Sequence, residues 1–306
     1  QDIEDDAMIG VKSSARRLAS AVRPGVAVFY GLAVVLAGAL VAAGLALLHP
    51  TVRPAEVPPS APPTPSVEPW RLPPVSWDPL PEPDPTSPLF AAQSAAINAV
   101  APAMLTGCPA PRIVADADEW RAAVEAQWRC VHAAWRPVLA EFRLSTLEPV
   151  VHFFTGEGAD SDCGHVDAPA FYCAVGSGSV YFGDGHLAQA RAWDLAVNEM
   201  VNHEYGHHLQ ALFGITANRL VAPGGLQLER RSELQAMCWS AAMTRGNDAV
   251  AFGQAAYDGW VARLDRMRED ASHGTRASLR YWGTRGLYAE TMGDCNTWVV
   301  GAAHVR

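Results

Sequence analysis

An apolar segment near the start of the chain, residues 25–48, most constrains how the chain can fold. It runs for 24 residues without a charged side chain, and an α-helix needs ~20 apolar residues to cross the hydrocarbon core of a bilayer. A cleaved signal peptide usually has a shorter apolar region, of ~7–15 residues, followed by small residues. Because the segment is longer than that and ends in Leu48-His49-Pro50, it predicts an uncleaved transmembrane helix.

The residues on either side of this segment divide the chain further. Lys12, Arg16, Arg17 and Arg23 precede it, so the positive-inside rule places residues 1–24 in the cytoplasm as a short tail. Residues 49–88 form a Pro-rich linker, with 15 prolines between positions 50 and 88, and a semi-rigid extended spacer is expected there. Residues 89–306 remain as one extracytoplasmic domain of a single-pass protein in the cell membrane.

Charge and cysteine content narrow the class of this domain. The net charge is −9 and basic residues cluster only next to the span, which argues against nucleic acid as a partner. The six cysteines all follow the span, and an even number in an oxidising compartment predicts three disulfides. Six cysteines allow 15 pairings, so their number alone leaves the connectivity open.

The residues His203-Glu204-Tyr205-Gly206-His207 carry the strongest chemical signal, because they form an HExxH motif. On a helix, residues four apart share one face, so His203 and His207 can bind one metal ion. Glu204 then lies beside the metal, where it can take a proton from water as a general base. Zinc suits this chemistry, because it is a Lewis acid without redox activity.

A third metal ligand is expected at Glu233, on a second helix after Pro223-Gly224-Gly225. Catalytic zinc sites commonly combine three protein ligands with an open position. The alternative is an exposed glutamate paired with Arg230, three residues earlier on the same helix face.

The rest of the domain reads as α+β and mostly helical. The periodicity predicts strands within 148–154 and 171–182, the latter with a turn at 176–179. It predicts helices over 89–101, 115–142, 186–213, 226–244, 248–269 and 276–290. Trp120, Trp128 and Trp135 form a stripe on one of these helices that is expected in the core.

Several strings in this domain resemble one family, the neutral zinc metallopeptidases of membrane-anchored bacterial proteins, a gluzincin-like group. They are HEYGHHLQ (203–210), RRSELQA (230–236), CGHVDAPAFYC (163–173) and WGTRGLYAETMGDCNTW (282–298). The resemblance implies a zincin-like domain of the minigluzincin type, with Zn²⁺ on His203, His207 and Glu233 and with Glu204 as the base. It also favours the disulfides Cys163–Cys173, Cys238–Cys295 and Cys108–Cys130.

Other residues follow from the same resemblance. In gluzincin-like folds a strand borders the cleft and can pair with an extended peptide. His273 lies in a loop that matches the family, and either donates to the developing oxyanion or caps a helix. Tyr281 and Tyr288 are weaker candidates for the oxyanion role, and His152, His165 and His186 are expected to be structural. His208 points about 100° away from His207, which indicates a supporting or surface role.

One position departs from the family pattern, which reads ELQAD after the glutamate, whereas this chain has Met237 in place of the Asp. The Asp would orient a zinc-bound histidine, and such supporting carboxylates contribute ~10–100-fold to metal affinity or activity. Methionine cannot replace that acceptor, so Asn198, Glu199 or a backbone carbonyl would have to do so.

These features predict a membrane-anchored, zinc-dependent peptidase that hydrolyses peptides or proteins of the cell envelope. The alternative, motivated by Met237, is a catalytically weak or inactive zincin-fold subunit that binds a membrane-protein partner in the envelope. Amidase chemistry on cell-wall peptides would use the same site.

Overall fold

The computed structural model describes residues 70–306 and confirms an α+β fold in which helices predominate. The α-helices are α1 (Phe90–Gln93), α2 (Ala117–Glu141), α3 (Leu187–Ala190), α4 (Ala196–Leu212), α5 (Ile215–Val221), α6 (Leu226–Arg245), α7 (Gln254–Arg266) and α8 (Arg276–Arg285). The strands are β1 (Val150–Phe154), β2 (Ala159–Ser161), β3 (Gly164–Val166), β4 (Ala170–Cys173) and β5 (Ser179–Gly183). Short 3-10 helices are Ala96–Ala99, Asp184–His186, Gly286–Tyr288, Met292–Cys295 and Ala302–Val305.

The cytoplasmic tail 1–24, the span 25–48 and most of the linker were predicted in residues 1–69, which lie outside the described part of the chain. Between residues 70 and 306, no helix is both long enough and apolar enough to cross a membrane.

The end of the Pro-rich segment, residues 70–88, packs on the domain rather than standing apart from it. Trp70 lies 6.0 Å from the ring of Tyr257, and Trp77 meets Tyr281 edge to face at 5.1 Å. Tyr288 Oη donates a hydrogen bond to the Pro73 carbonyl (2.7 Å). The packed unit therefore begins before residue 89, because aromatic side chains between the prolines find partners on its surface.

The long helices with a clear apolar stripe match their predicted ranges closely. Asp116 caps α2 by accepting a hydrogen bond from the Glu119 amide, as the first turn of a helix requires. Trp120, Trp128 and Trp135 are each at most 1% exposed, which confirms the predicted core stripe.

Other predicted helices are wrong in their bounds. Segment 89–101 holds two short helices, with a break at Ser94 and Ala95. Segment 186–213 is interrupted after α3, where Trp193 turns to pack on Trp260 (5.8 Å). Segment 248–269 is helical only after Gly253, and the helix predicted over 276–290 ends at Arg285. Tertiary packing overrides the local pattern at these places.

The strands form a small mixed sheet in the order β1-β5-β4. The central strand β5 pairs in parallel with β1 and antiparallel with β4, with Phe182 opposite Phe153 and Ala170. This confirms the predicted hairpin arm at 171–182 and leaves β4 at one edge. The two-stranded β2–β3 hairpin was not predicted, because its strands have only three residues each.

Helices α4 and α6 pack tightly against each other. A Cβ atom added at Gly206 would lie 3.2 Å from Ala236 Cα and 3.3 Å from Ala236 Cβ, which is closer than side chains normally approach. The two helices can therefore meet at this point because Gly206 has no side chain. Gly206 lies one residue before His207, so the contact brings the face of α4 that carries both motif histidines close to α6.

All three expected disulfides are present: Cys108–Cys130, Cys163–Cys173 and Cys238–Cys295. The last one ties α6 to the 3-10 helix Met292–Cys295. It therefore joins the helix of Glu233 to a segment 57 residues further along the chain.

Candidate metal centre

The side chains of His203, His207 and Glu233 meet at one point between α4 and α6. The Nε2 atoms of His203 and His207 are 3.2 Å apart, and Glu233 Oε2 lies 3.1 Å from the first and 3.3 Å from the second. These groups form the one cluster of three or more His, Cys, Asp or Glu side chains with metal-ligand spacing among residues 70–306. The close packing of α4 on α6 thus places a glutamate 30 residues away beside the motif histidines.

The spacing of these three atoms fits a bound divalent metal. Tetrahedral ligands ~2.0–2.1 Å from an ion such as zinc stand about 3.3 Å apart, close to the three distances observed. Two imidazoles and a carboxylate also suit first-row metals by their chemistry.

Hydrogen bonding fixes the tautomer of His207 through Gln210. Gln210 Nε2 donates to the Ser232 carbonyl (2.9 Å) and to Gln235 Oε1 (3.0 Å). Its Oε1 therefore faces His207 Nδ1 (2.9 Å), and that nitrogen must carry a proton. The lone pair of neutral His207 is then on Nε2, where a metal can accept it.

The orientation of Gln210 is in turn set by the core. The indole Nε1 of Trp298 can only donate, and it donates to Gln235 Oε1 (2.9 Å). Ser232 Oγ donates to Gln210 Oε1 (2.6 Å). Gln210 and Gln235 are both 0% exposed, so water does not compete for these bonds.

His203 lacks a comparable partner. Its Nδ1 is buried and makes no hydrogen bond with any residue from 70 to 306. Asn198 and Glu199, the candidate replacements for the missing acceptor, do not fill that role. Glu199 Oε2 instead accepts from Gln189 Nε2 (3.0 Å), and Met237 is 2% exposed in the same cavity wall.

Glu204 is buried next to this cluster on α4. Its Oε2 has no hydrogen-bond partner among the described residues. Burial raises the pKa of the Glu204 carboxyl, although positive charge on His207 and His203 opposes the effect. A raised pKa brings a carboxylate closer to the range in which a general base works at neutral pH.

Charge within the cluster couples His207 to Glu233. Burial opposes protonation of His207, but the Glu233 carboxylate overcomes it and raises the pKa of His207 to about 9. Burial also opposes ionisation of Glu233, yet positive His207 and the hydrogen bonds of both histidines keep the pKa of Glu233 well below its usual value. Without a metal, proton and carboxylate therefore hold each other in place.

His273 lies at the edge of the cluster, with Nε2 3.7 Å from Glu233 Oε2. Asp270 holds it from behind, because the carboxylate accepts from His273 Nδ1 (3.0 Å) and from the His273 amide (2.7 Å). Burial disfavours the charged Asp270 carboxyl, but these donors lower its pKa to about 2. The structure thus brings His273 to the site, where Nε2 faces the ligands.

A cavity of about 800 Å³ opens over the cluster. Three residues of the edge strand β4, namely Ala170, Phe171 and Tyr172, line one side of it. An edge strand in this position can accept an extended peptide by strand addition.

The remaining candidates lie elsewhere or serve the core. Tyr281 and Tyr288 contact Trp77 and do not line this cavity. The expectation that His208 could lie on the surface is wrong, because it is 1% exposed and its Nδ1 meets Tyr172 Oη at 2.9 Å. His152 stacks on Tyr181 (4.6 Å).

His165 and His186, which were also expected to be structural, differ in their surroundings. His165 bonds Asp160 and Asp167, as a structural residue would. His186 lines the cavity, and its buried Nε2 has no partner in residues 70–306. Burial lowers the pKa of His186 to about 4, so it is neutral at pH 7.

Sequence reasoning gave no role to Gln210 or to Arg263, which also lines the cavity. Gln210 could have been found, because it lies three residues after His207 on the same helix face. Arg263 carries no comparable signal, since its neighbour Glu199 is 64 positions away in the sequence.

Comparisons with known proteins add relatives but no activity. An uncharacterized protein of Mycobacterium bovis and uncharacterized proteins of Mycobacterium tuberculosis are each 27% identical to this chain over 213 residues, which is 66% of this chain and 67% of theirs. No protein-family model and no solved structure matches the chain.

Proposed function

We propose that this chain is a zinc-dependent peptidase with a zincin-like domain, anchored in the cell membrane by residues 25–48 and acting on peptides or proteins of the cell envelope. The observation that carries the proposal is the meeting of His203, His207 and Glu233 within 3.3 Å of one another, with Glu204 buried beside them. The His₂Glu ligand set is one that catalytic zinc uses.

Zinc held by these three ligands would supply Lewis-acid chemistry, polarising the scissile carbonyl and lowering the pKa of water. Glu204 takes the proton from the attacking water and passes it to the leaving amine. Its burial favours this role, because burial raises the pKa of the unpaired carboxylate and so makes it a stronger proton acceptor.

The other residues of the site position the substrate and the developing charge. Strand β4 offers its free edge to the substrate backbone, which gives affinity with little sequence preference. Whenever Nε2 of His273 carries a proton, it can donate to the developing oxyanion, while Asp270 holds the opposite nitrogen. Gln210 keeps His207 in the tautomer that leaves Nε2 free.

The proposal is tested with the full chain and its Glu204→Gln variant. We expect stoichiometric zinc in both proteins, and a loss of peptide hydrolysis in the variant of about 10²–10⁴-fold, because only the proton acceptor is removed. Glu141→Gln is the matched control, since Glu141 is exposed at the end of α2. Hydrolysis that persists in Glu204→Gln, or a zinc-loaded parent without hydrolysis, would overturn the proposal.

A second candidate function is a zincin-fold binding subunit of an envelope membrane complex. It is favoured by the unpartnered Nδ1 of His203 and by the buried methionine, and not a carboxylate, at position 237 of the same cavity wall, since weak support of a ligand lowers activity. Co-purification with a membrane partner, together with zinc binding but no hydrolysis in the parent, would support this function over the first.

A further inference from the structure

Four arginines line the cavity over the candidate metal centre: Arg219, Arg263, Arg266 and Arg268. Arg219 comes from α5, Arg263 and Arg266 from the last turn of α7, and Arg268 from the loop that follows. Within residues 70–306, the side chains of Arg219, Arg266 and Arg268 make no ion pair and no hydrogen bond. The wall of the cavity therefore carries guanidinium groups with which no carboxylate of the described part of the chain pairs directly.

Arg263 is largely buried, with 20% of its side chain exposed. Its closest acidic group is Glu199, whose Oε2 lies 3.5 Å from Arg263 Nε. That contact is too long for a good hydrogen bond, and Nε has no hydrogen-bond partner among the described residues. A guanidinium has five N–H donors, so a ligand in the cavity can take up donors that the protein leaves unused.

Six carboxylates line the same cavity, but none of them pairs with the side chains of Arg219, Arg266 or Arg268; they are Asp167, Glu199, Glu204, Glu229, Glu233 and Asp270. Asp167 bonds His165, and Asp270 bonds His273. Glu199 is shared between Gln189 and Arg263. Glu204 and Glu233 belong to the candidate metal centre. The arginines are therefore engaged by these carboxylates only through the contact of Arg263 with Glu199.

Arg263 lies close to the position of the reaction. Glu199, which it faces, is one helical turn before the ligand His203 on α4, and one turn spans ~5.4 Å. Successive residues of an extended peptide are ~3.3 Å apart. A group bound by Arg263 would therefore belong to a residue within one or two positions of the scissile bond.

We propose that the cavity recognises a carboxylate of the peptide substrate, with Arg263 as its direct partner and with Arg219, Arg266 and Arg268 as further cations in the cavity wall. The proposal rests on the peptidase function above and specifies its substrates as peptides with an acidic group close to the cleaved bond. Arginine suits this task, because its planar fork binds carboxylates through two hydrogen bonds. The carboxylate comes either from an Asp or Glu side chain or from a free C-terminus, and these share the same chemistry.

Binding is measured on the full chain carrying Glu204→Gln and loaded with zinc, so that no turnover is needed. Three fluorescent peptides of otherwise identical sequence are compared: one with a central Glu and an amidated C-terminus, one with Gln and an amide, and one with Gln and a free C-terminus. We expect one of the two carboxylate peptides to bind about tenfold or more tightly than the neutral one. The peptide that does so identifies the source of the carboxylate.

Substitution of the arginines then shows which of them causes the preference for the carboxylate peptide. Arg263→Gln should remove that preference while changing affinity for the neutral peptide less than about twofold. Arg280→Gln is the matched control, because Arg280 pairs with Asp265 outside the cavity. The double variant Arg266→Gln/Arg268→Gln alters exposed side chains only and should weaken the preference without disturbing the fold.

Equal affinity for all three peptides in the parent would overturn the proposal. A second result would also overturn it: Arg263→Gln weakens binding of all three peptides equally, while the double variant keeps the full preference for the carboxylate peptide. Arg263 would then only support the structure. Failure of the peptidase function is distinguishable, because it would appear as a parent that does not cleave, whatever the binding preference in the Glu204→Gln background.

Discussion

His203 and His207 lie one turn apart on α4 and point their Nε2 atoms at the same carboxylate, but the protein supports them differently. His207 donates from Nδ1 to Gln210, which the core holds in one orientation. The Nδ1 of His203 is buried without a hydrogen-bond partner among residues 70–306. The HExxH spacing brings two imidazoles together, but it does not determine whether a hydrogen bond fixes the orientation of each. That depends on residues outside the motif.

The largest expected effect is the pH dependence of zinc affinity that follows from the protonation of His207. Glu233 raises the pKa of His207 to about 9 against the cost of burial, so in the metal-free protein His207 is protonated below that pH. Zinc needs neutral imidazole. We therefore expect the apparent zinc affinity to rise by up to about tenfold per pH unit from pH 6.5 towards 9.

This dependence is measured with a competing chelator at pH 6.5, 7.5 and 8.5. His165→Asn serves as the control, because His165 is exposed and lies in the β2–β3 hairpin, and its slope should equal that of the parent. A zinc affinity that stays constant over this range, after correction for the chelator, would contradict the coupling of His207 to Glu233.

Gln210→Met directly tests the hydrogen bond that supports His207. The substitution keeps an unbranched side chain but removes both the acceptor for His207 Nδ1 and the donor to Ser232 and Gln235. We expect zinc affinity to fall by about 10–100-fold, the range known for groups that orient a metal-bound histidine. Isothermal titration or chelator competition at one pH measures the change.

Gln127→Met is the control for the loss of a buried amide. Gln127 is 2% exposed and bonds Asn202, but it contacts none of the three ligands. A similar loss of zinc affinity in both variants would indicate general destabilisation and not a role for Gln210. Unfolding curves of both metal-free variants separate the two effects.

The asymmetry also shows what sequence could and could not predict. The motif spacing predicts His203 and His207 on one helix face, and a glutamate on a following helix predicts Glu233. The support of His207 was not predicted, because it passes from Trp298 through Gln235 to Gln210, and 88 positions separate its ends. Such a chain of hydrogen bonds depends on tertiary packing, which local patterns do not encode.

In the fold as well, local patterns could be predicted from the sequence and tertiary contacts could not. Long amphipathic helices such as α2 and α6 could be predicted, since each carries its own cap or apolar stripe. The packing of residues 70–88 could not, because proline content predicts a free spacer, while Trp70 and Trp77 find partners about 180 and 200 residues later. The position of His273 beside Glu233 likewise depends on how α7 and α8 meet.

Met237→Asp tests the unsupported histidine, His203, and has the smallest expected effect. Met237 lies one turn after Glu233 on α6 and lines the cavity with His203, so a carboxylate there could accept a hydrogen bond from His203 Nδ1. We expect zinc affinity to rise by about tenfold. The buried carboxylate should also destabilise the metal-free protein, because the double positive charge of a bound zinc ion is not there to offset its desolvation.

Met237→Leu is the matched control, since it keeps an apolar side chain of similar volume and offers no acceptor. It should leave zinc affinity within about twofold of the parent. Calorimetric titration of both variants, with melting curves recorded with and without zinc, separates affinity from stability. If Met237→Asp and Met237→Leu change zinc affinity equally, the unpaired Nδ1 of His203 does not limit zinc binding. Packing alone would then orient the His203 imidazole as well as a hydrogen bond would.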